Sequence, residues 1–145
     1  PKVSRHGFVA DLFGLLSREG VLVNCMVEGG GLKNKVLEAF ACGLPVVSTK
    51  LGLDGIHAQD GVHCLVADGP QAIAEKALQI LDKPAFARRL TGAARDLVES
   101  EYTWERAGER FAGVIDRIRV RPQNPSRQPD EGSADASRRH GSLPA

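Results

Sequence analysis

A chain of 145 residues with 42% apolar and 26% charged side chains has the length and make-up of one globular domain able to bury a sizeable core. The formal charge is only +1, and basic and acidic side chains balance before Arg121, which excludes the electrostatic footprint of a nucleic-acid binder. No apolar run approaches the roughly 18 residues of a membrane span, and no charged-then-apolar leader opens the chain.

The chain begins at Pro1 and its single methionine is Met26, so it reads as an N-terminally truncated fragment. Residues 5–9 are the first of four predicted strands; the others are 21–27, 45–49 and 62–66, each rich in Val, Leu, Phe or Cys and bounded by Gly, Asp or Pro. Near-continuous hydrophobicity, as in Val21-Leu22-Val23, marks strands covered on both faces, the habit of parallel sheets. Helical patterns lie between them. Residues 11–18 carry Leu12, Leu15 and Leu16, and residues 34–42 carry Val36, Leu37, Phe40 and Ala41 as one stripe. Strand, helix, strand, helix, strand implies an α/β fold: a Rossmann-like, doubly wound parallel sheet with right-handed crossovers.

After Asp68 the pattern is helical only. Residues 70–81 align Ile73, Ala74, Ala77, Leu78 and Leu81, and Pro84 opens a segment aligning Phe86, Leu90, Ala94 and Leu97. Thr103 is placed to cap a last helix with a stripe of Trp104, Ala107, Phe111, Val114 and Ile118. Trp104 reads most simply as a core anchor for that helix. With cover supplied by a partner domain, Trp104, Phe111 and Val114 are instead expected to be exposed here. Residues 121–145 hold one large aliphatic, Leu143, and are expected to form a disordered, dispensable tail beyond a domain of residues 1–120. Cys25, Cys42 and Cys64 form no C-x-x-C pair and are odd in number, which argues against zinc and a disulfide framework and for reduced core cysteines in a cytoplasmic protein.

The informative segment is Glu28-Gly29-Gly30-Gly31-Leu32-Lys33-Asn34-Lys35-Val36-Leu37-Glu38. Glycines between a parallel strand and a helix let backbone N–H groups approach an anion where the helix dipole also favours negative charge, at the usual ligand edge of an open α/β sheet. Lys33 and Lys35 load the first helical turn with positive charge, poor for the helix and good for a diphosphate. The alternatives stay open on spacing alone. The glycines can simply make a tight turn, and Glu38, three residues after Lys35, can be a helix-surface ion pair of about 0.2–0.5 kcal/mol. The spacing is neither G-x-G-x-x-G nor that of a P-loop. His6 and His63 lie in strand-like runs and read as structural histidines, and Asp54-Gly55 reads equally as a turn or a cleft lining. No D-x-D or His/Asp cluster suggests a metal site.

The run from Lys35 to Ser48, K-V-L-E-A-F-A-C-G-L-P-V-V-S, resembles the signature of the group 1, or family 4, retaining glycosyltransferases. His6-Gly7-Phe8-Val9, the segment from Asp60 to Val66 and Tyr102-Thr103-Trp104 resemble its flanks, so the likeness spans roughly residues 7–118. The resemblance implies the C-terminal, nucleotide-sugar-binding half of a GT-B fold, in which two Rossmann-like domains face across a cleft and the absent N-terminal one holds the acceptor. It implies hexosyl or related transfer in carbohydrate biosynthesis, metal-independent and with retention, and no cofactor, the nucleotide sugar being a substrate. Carried over, Glu38 accepts hydrogen bonds from the ribose hydroxyls, and Gly29, Gly30, Gly31, Leu32, Lys33, Asn34 and Lys35 make the donor loop. Gly43 and Pro45 shape the following turn.

One position departs from the family's pair of acids: Gly30 stands where many members have the first, and Glu28 is out of register. The sequence resembles a branch in which a lysine-bearing loop occupies that place. The family's Arg and Lys that neutralise the leaving diphosphate are expected before Pro1, with Lys33 and Lys35 as candidates to share the role; no other catalytic residue is assigned. The fragment alone is expected to be inactive. Cytoplasmic placement is expected, with the inner face of a membrane, reached through the absent part, as its variant. Two rivals stand: a non-catalytic nucleotide-binding or partner module, and a sugar-nucleotide epimerase of similar architecture. The coding sequence upstream of Pro1 and release of free nucleoside diphosphate without acceptor discriminate them.

Overall fold

The structure is a computed structural model that describes residues 3–17 and 20–119. Three short strands, β1 (Leu22–Asn24), β2 (Val46–Ser48) and β3 (Leu65–Val66), form a parallel sheet in the order β1-β2-β3. Leu22 pairs with Val46 and Asn24 with Ser48, while Val47 pairs with Leu65. Because successive strand residues point to opposite faces, Val46 and Val47 sort into two separate cores. On the Val46 side lie Val36, Ala39 and Phe40 of α2 (Asn34–Ala41). On the Val47 side lie Ile73 and Ile80 of α3 (Pro70–Leu81). The long helix α4 (Pro84–Glu101) serves both, with Leu90 in one core and Ala94 and Leu97 in the other. The α/β expectation of a parallel sheet with helices on both faces therefore holds.

Strand extents do not. Residues 5–9 form no strand: Phe8 is 97% exposed, and an apolar run becomes a strand only where a ladder partner and a covered face exist. The predicted strand 62–66 shrinks to two residues because Asp60-Gly61 imposes a turn. There Gly61 N–H donates to the Cys64 carbonyl (2.8 Å), Val66 N–H to Asp60 Oδ1 (2.8 Å), and Gln59 N–H to His63 Nδ1 (2.9 Å). Beyond Asn24 the chain leaves the ladder for the glycine loop, so Cys25 is exposed rather than in the core. The helix expected over 11–18 is α1 (Leu12–Leu16), whose N-cap Asp11 accepts from Gly14 N–H at 2.8 Å.

The helices match their periodicity better. Proline in the first turn marks the start of both α3 and α4. The buried face of α3 is Ile73 and Ile80, however, with Leu78 and Leu81 exposed. The sheet covers the side on which Ala72 and Ala77 pack beside Ile73 and Ile80. The last helix, α5 (Trp104–Arg119), starts where Thr103 Oγ1 accepts from Arg106 N–H at 3.3 Å. Removing that cap in Thr103→Ala should cost about 0.5–2 kcal/mol of stability in a urea titration, and no change would show that the cap is idle. Trp104 is 90% exposed, so it is not a core anchor.

Contacts divide the chain into Pro1–Arg110 and Phe111–Ala145, the break falling inside α5. In the second unit Phe111, Val114 and Ile118 are exposed. Residues 120–145, with the expected tail and the domain boundary at 120, lie outside the described residues. No helix among the described residues is long and apolar enough to cross a membrane.

Cys64 is fully buried, and burial, aided by the charge of Asp60, pushes its thiol up to about 12. Its protonated form is the one the fold accommodates, so its contribution to stability is complete below the unfolded thiol's range near 9 and is lost as pH rises towards 12. At pH 8 a thiol reagent should modify exposed Cys25 first and Cys64 only on unfolding; rapid labelling of all three in the folded chain would contradict this placement.

Candidate functional site

All three strands end at one edge of the sheet, and the loops that follow them meet there. The first is held to the second by a buried polar network. Asn24 Nδ2 donates to the Gly52 carbonyl (2.9 Å) and to Ser48 Oγ (3.3 Å), and Ser48 Oγ donates to the Asn24 carbonyl (3.2 Å). Thr49 Oγ1 donates to the Met26 carbonyl (2.7 Å) and accepts from Gly52 N–H (3.1 Å). Asn24, Ser48 and Thr49 are all buried, so each bond forms where water does not compete. The loop after β2, with its 3₁₀ turn Leu51–Leu53, is thus a fixed wall.

From Met26 the glycine loop runs to α2. Gly29 and Gly31 adopt φ of 108° and 80°; at Gly31 a Cβ would be strained by the backbone, so glycine sets the approach to the helix. Gly30 does not need this freedom. Lys33 stands at the N-cap, not within the first turn, and no side chain caps the helix. Its side chain folds back with Nζ 3.5 Å from the Gly29 carbonyl, and the residue is only 4% exposed. Among the described residues no carboxylate pairs with it. A buried ammonium held by one long hydrogen bond at an uncapped helix N-terminus is an unbalanced positive charge, and an anion is its natural complement.

Asn34 and Lys35 are exposed in the first turn of α2, and Glu38 is half-buried one turn on. Among the described residues no ion pair joins Lys35 to Glu38, so the surface-pair alternative gains no support. Glu38 instead lines a groove of about 740 Å³ together with Leu32, Asn34 and Gly55, closed by Tyr102 and Trp104. The structure therefore brings Leu32, Asn34 and Glu38 to one groove and leaves Gly29, Gly30, Gly31, Lys33 and Lys35 off its lining. Gly43, at φ 72°, turns the chain out of α2, and the Pro45 carbonyl then accepts from Leu22 N–H at 2.8 Å. His6 is exposed, and among the described residues no group of three or more His, Cys, Asp or Glu could hold a metal ion.

Two clusters escaped the sequence reading. The Asn24–Ser48–Gly52 network had a faint signal, a polar residue closing each of two apolar runs at matching register. The grouping of His57, Glu101, Tyr102 and Arg110 had none, since it joins residues more than 40 positions apart.

Comparison with known proteins agrees with this architecture. The family model described as Glycosyl transferases group 1 matches residues 1–83. A GDP-mannose-dependent monoacylated alpha-(1-6)-phosphatidylinositol monomannoside mannosyltransferase of Corynebacterium glutamicum is 30% identical over 115 residues, covering 73% of this chain and 27% of that protein. Among solved structures, Anabaena HepE in complex with UDP superposes with a TM-score of 0.68 at 18% identity, over 77% of this chain and 31% of that one. The C-terminal domain of a glycosyl transferase group 1 family protein (LpcC) from Francisella tularensis gives 0.56 at 21% identity, over 68% and 53%. The chain thus spans about a quarter of the length of its curated relative. With the family model matching more than half of its residues, the chain belongs to the group 1 glycosyltransferases and carries the Rossmann-like fold of their C-terminal half.

Proposed function

We propose that this chain is the donor-binding half of a GT-B glycosyltransferase that moves a sugar from a nucleotide sugar to an acceptor held by a second Rossmann-like domain. The observation that carries the reading is Lys33, buried and, among the described residues, without a carboxylate partner at the uncapped N-terminus of α2. A donor diphosphate there would gain a preorganised cation at the positive end of the α2 dipole, and Lys35, exposed in the first turn of α2, is a second cation beside it. Positive charge at this point stabilises the negative charge that develops on the departing diphosphate. The lysine-bearing loop also accounts for an enzyme whose first acidic position is Gly30.

Glu38 then takes the ribose, since one carboxylate can accept from both vicinal hydroxyls. Transfer with retention, independence of metal and absence of a cofactor complete the proposal, and the chain alone is inactive because the acceptor half is needed. The Corynebacterium relative is named for a phosphatidylinositol-based acceptor and a GDP-mannose donor, while HepE was solved with UDP. An acceptor of the former, lipid class would place the enzyme in the cytoplasm at the inner face of the membrane.

Calorimetric titration with UDP and GDP in the presence of a chelator tests this directly. One of the two should bind, and Glu38→Gln should weaken it by about 1.5–3 kcal/mol, because hydrogen bonds to a charged acceptor are lost. Affinity for the free sugar should hardly change. Binding of neither nucleotide would refute the donor-site reading, and equal dissociation constants for wild type and variant would remove Glu38 from it.

A further inference from the structure

Away from the glycine loop, three segments meet where α4 gives way to α5. The main-chain N–H of His57 donates to the Tyr102 hydroxyl at 2.8 Å, and His57 Nδ1 lies 2.6 Å from Glu101 Oε2. The two rings meet edge to face with centroids 6.3 Å apart. Arg110 donates to the Glu101 carbonyl at 2.7 Å and stands 3.9 Å from Glu101 Oε2. The His57–Glu101 and Arg110–Glu101 pairs are solvent-exposed and contribute little on their own. Tyr102 differs from them, because its ring packs partly buried against the α2 core and so holds its hydroxyl at a fixed place.

The segment that Tyr102 grips reaches the donor loop two residues earlier. A methyl group added to Gly55 would meet Leu32 Cδ1 at 3.4 Å and Leu32 Cα at 3.6 Å, so the two backbones lie against one another. Leu32 is the immediate neighbour of Lys33. Between Gly55 and His57 the chain has no slack, since Ile56 is buried and its N–H donates to the Leu53 carbonyl at 2.9 Å.

We propose that Tyr102 is a positioning residue for the donor site: by holding the His57 N–H it keeps Gly55 against Leu32 and thereby sets the loop that carries Lys33. The proposal rests on the donor-site reading for its functional meaning, and on geometry alone for the coupling. Tyr102→Phe tests it, because the ring and its core contacts stay and only the hydroxyl goes.

Two measurements are made on wild type and variant: amide hydrogen exchange without nucleotide, and titration with UDP and GDP. In the variant, exchange should quicken at His57, at Ile56, and at Asn34 and Val36, whose N–H groups donate to the Leu32 and Lys33 carbonyls, by about two- to tenfold, the net worth of one hydrogen bond. Protection in α3 and α4 should be unchanged, and affinity for the bound nucleoside diphosphate should fall by a similar factor. A role confined to stability would instead raise exchange throughout α4 and lower the melting temperature without singling out Asn34 and Val36. Faster exchange at His57 with Asn34 and Val36 untouched would overturn the proposal, as would unaltered nucleotide affinity. If wild type binds neither UDP nor GDP, the donor-site reading fails, and the exchange pattern at Asn34 and Val36 still decides whether Tyr102 sets the loop.

Discussion

Lys33→Met should make the protein more stable and a poorer binder of nucleoside diphosphate. The two effects have one cause. Lys33 is 4% exposed, its aliphatic stem is already inside, and its ammonium meets one carbonyl at 3.5 Å. Without ligand the fold bears the desolvation of a charge with no counter-ion among the described residues, so exchanging the ammonium for a thioether of similar length should raise stability by about 1 kcal/mol or more in a urea titration. With ligand the balance reverses, because the diphosphate loses a desolvated partner at a helix N-terminus. Affinity should then fall by about 2–4 kcal/mol, more than for Glu38→Gln, whose partners are neutral hydroxyls. Lys35→Met, at an exposed position, should cost well under half as much. A Lys33→Met protein that binds nucleotide as tightly as wild type would show that this ammonium is a strap for the glycine loop and nothing more.

That experiment also marks the boundary of what could be read from the residues. The glycine loop and the helix that follows it were legible, because local chemistry sets them, and lysine where a helix would prefer acid pointed to an anion while leaving a plain tight turn open. Burial of Lys33 was not legible, since charge pattern alone placed Lys33 and Lys35 together, and only the fold separates the buried one from the exposed one. The same division runs through the architecture. Proline at the first turn and a 3.6-residue stripe fixed the starts of α3 and α4 and the buried line Leu90, Ala94, Leu97, all local properties. Strands are pairings, so residues 5–9 look as strand-like as residues 22–24 until the ladder is known. The tyrosine clasp and the asparagine network join residues 24 to 45 positions apart, and no single-segment signal announces such contacts.

The network is where a small change should cost most in stability. Gly52 has its α-carbon against the meeting point of β1 and β2: a Cβ there would collide with Ser48 Oγ and stand 2.7 Å from Asn24 Nδ2 and 3.0 Å from the Asn24 carbonyl oxygen. Neither side chain can simply swing away, since Ser48 is fully buried and Asn24 3% exposed, and each would leave a polar group without its partner. Gly52→Ala therefore combines overpacking with broken buried hydrogen bonds and should destabilise the fold by about 2–5 kcal/mol. Ser48→Ala removes the nearest obstacle, so the double variant should be less destabilised than the two single changes added together, by about 1 kcal/mol or more. Strict additivity would mean that the collision is relieved elsewhere, by the backbone of the 3₁₀ turn. Where the single variant still folds, nucleotide affinity should fall as well. Thr49, which accepts from Gly52 N–H, also donates to the Met26 carbonyl at the root of the glycine loop, so a displaced Gly52 moves the loop that holds Lys33. A variant that loses stability but keeps its nucleotide affinity would show that the two ligand-edge loops are braced independently.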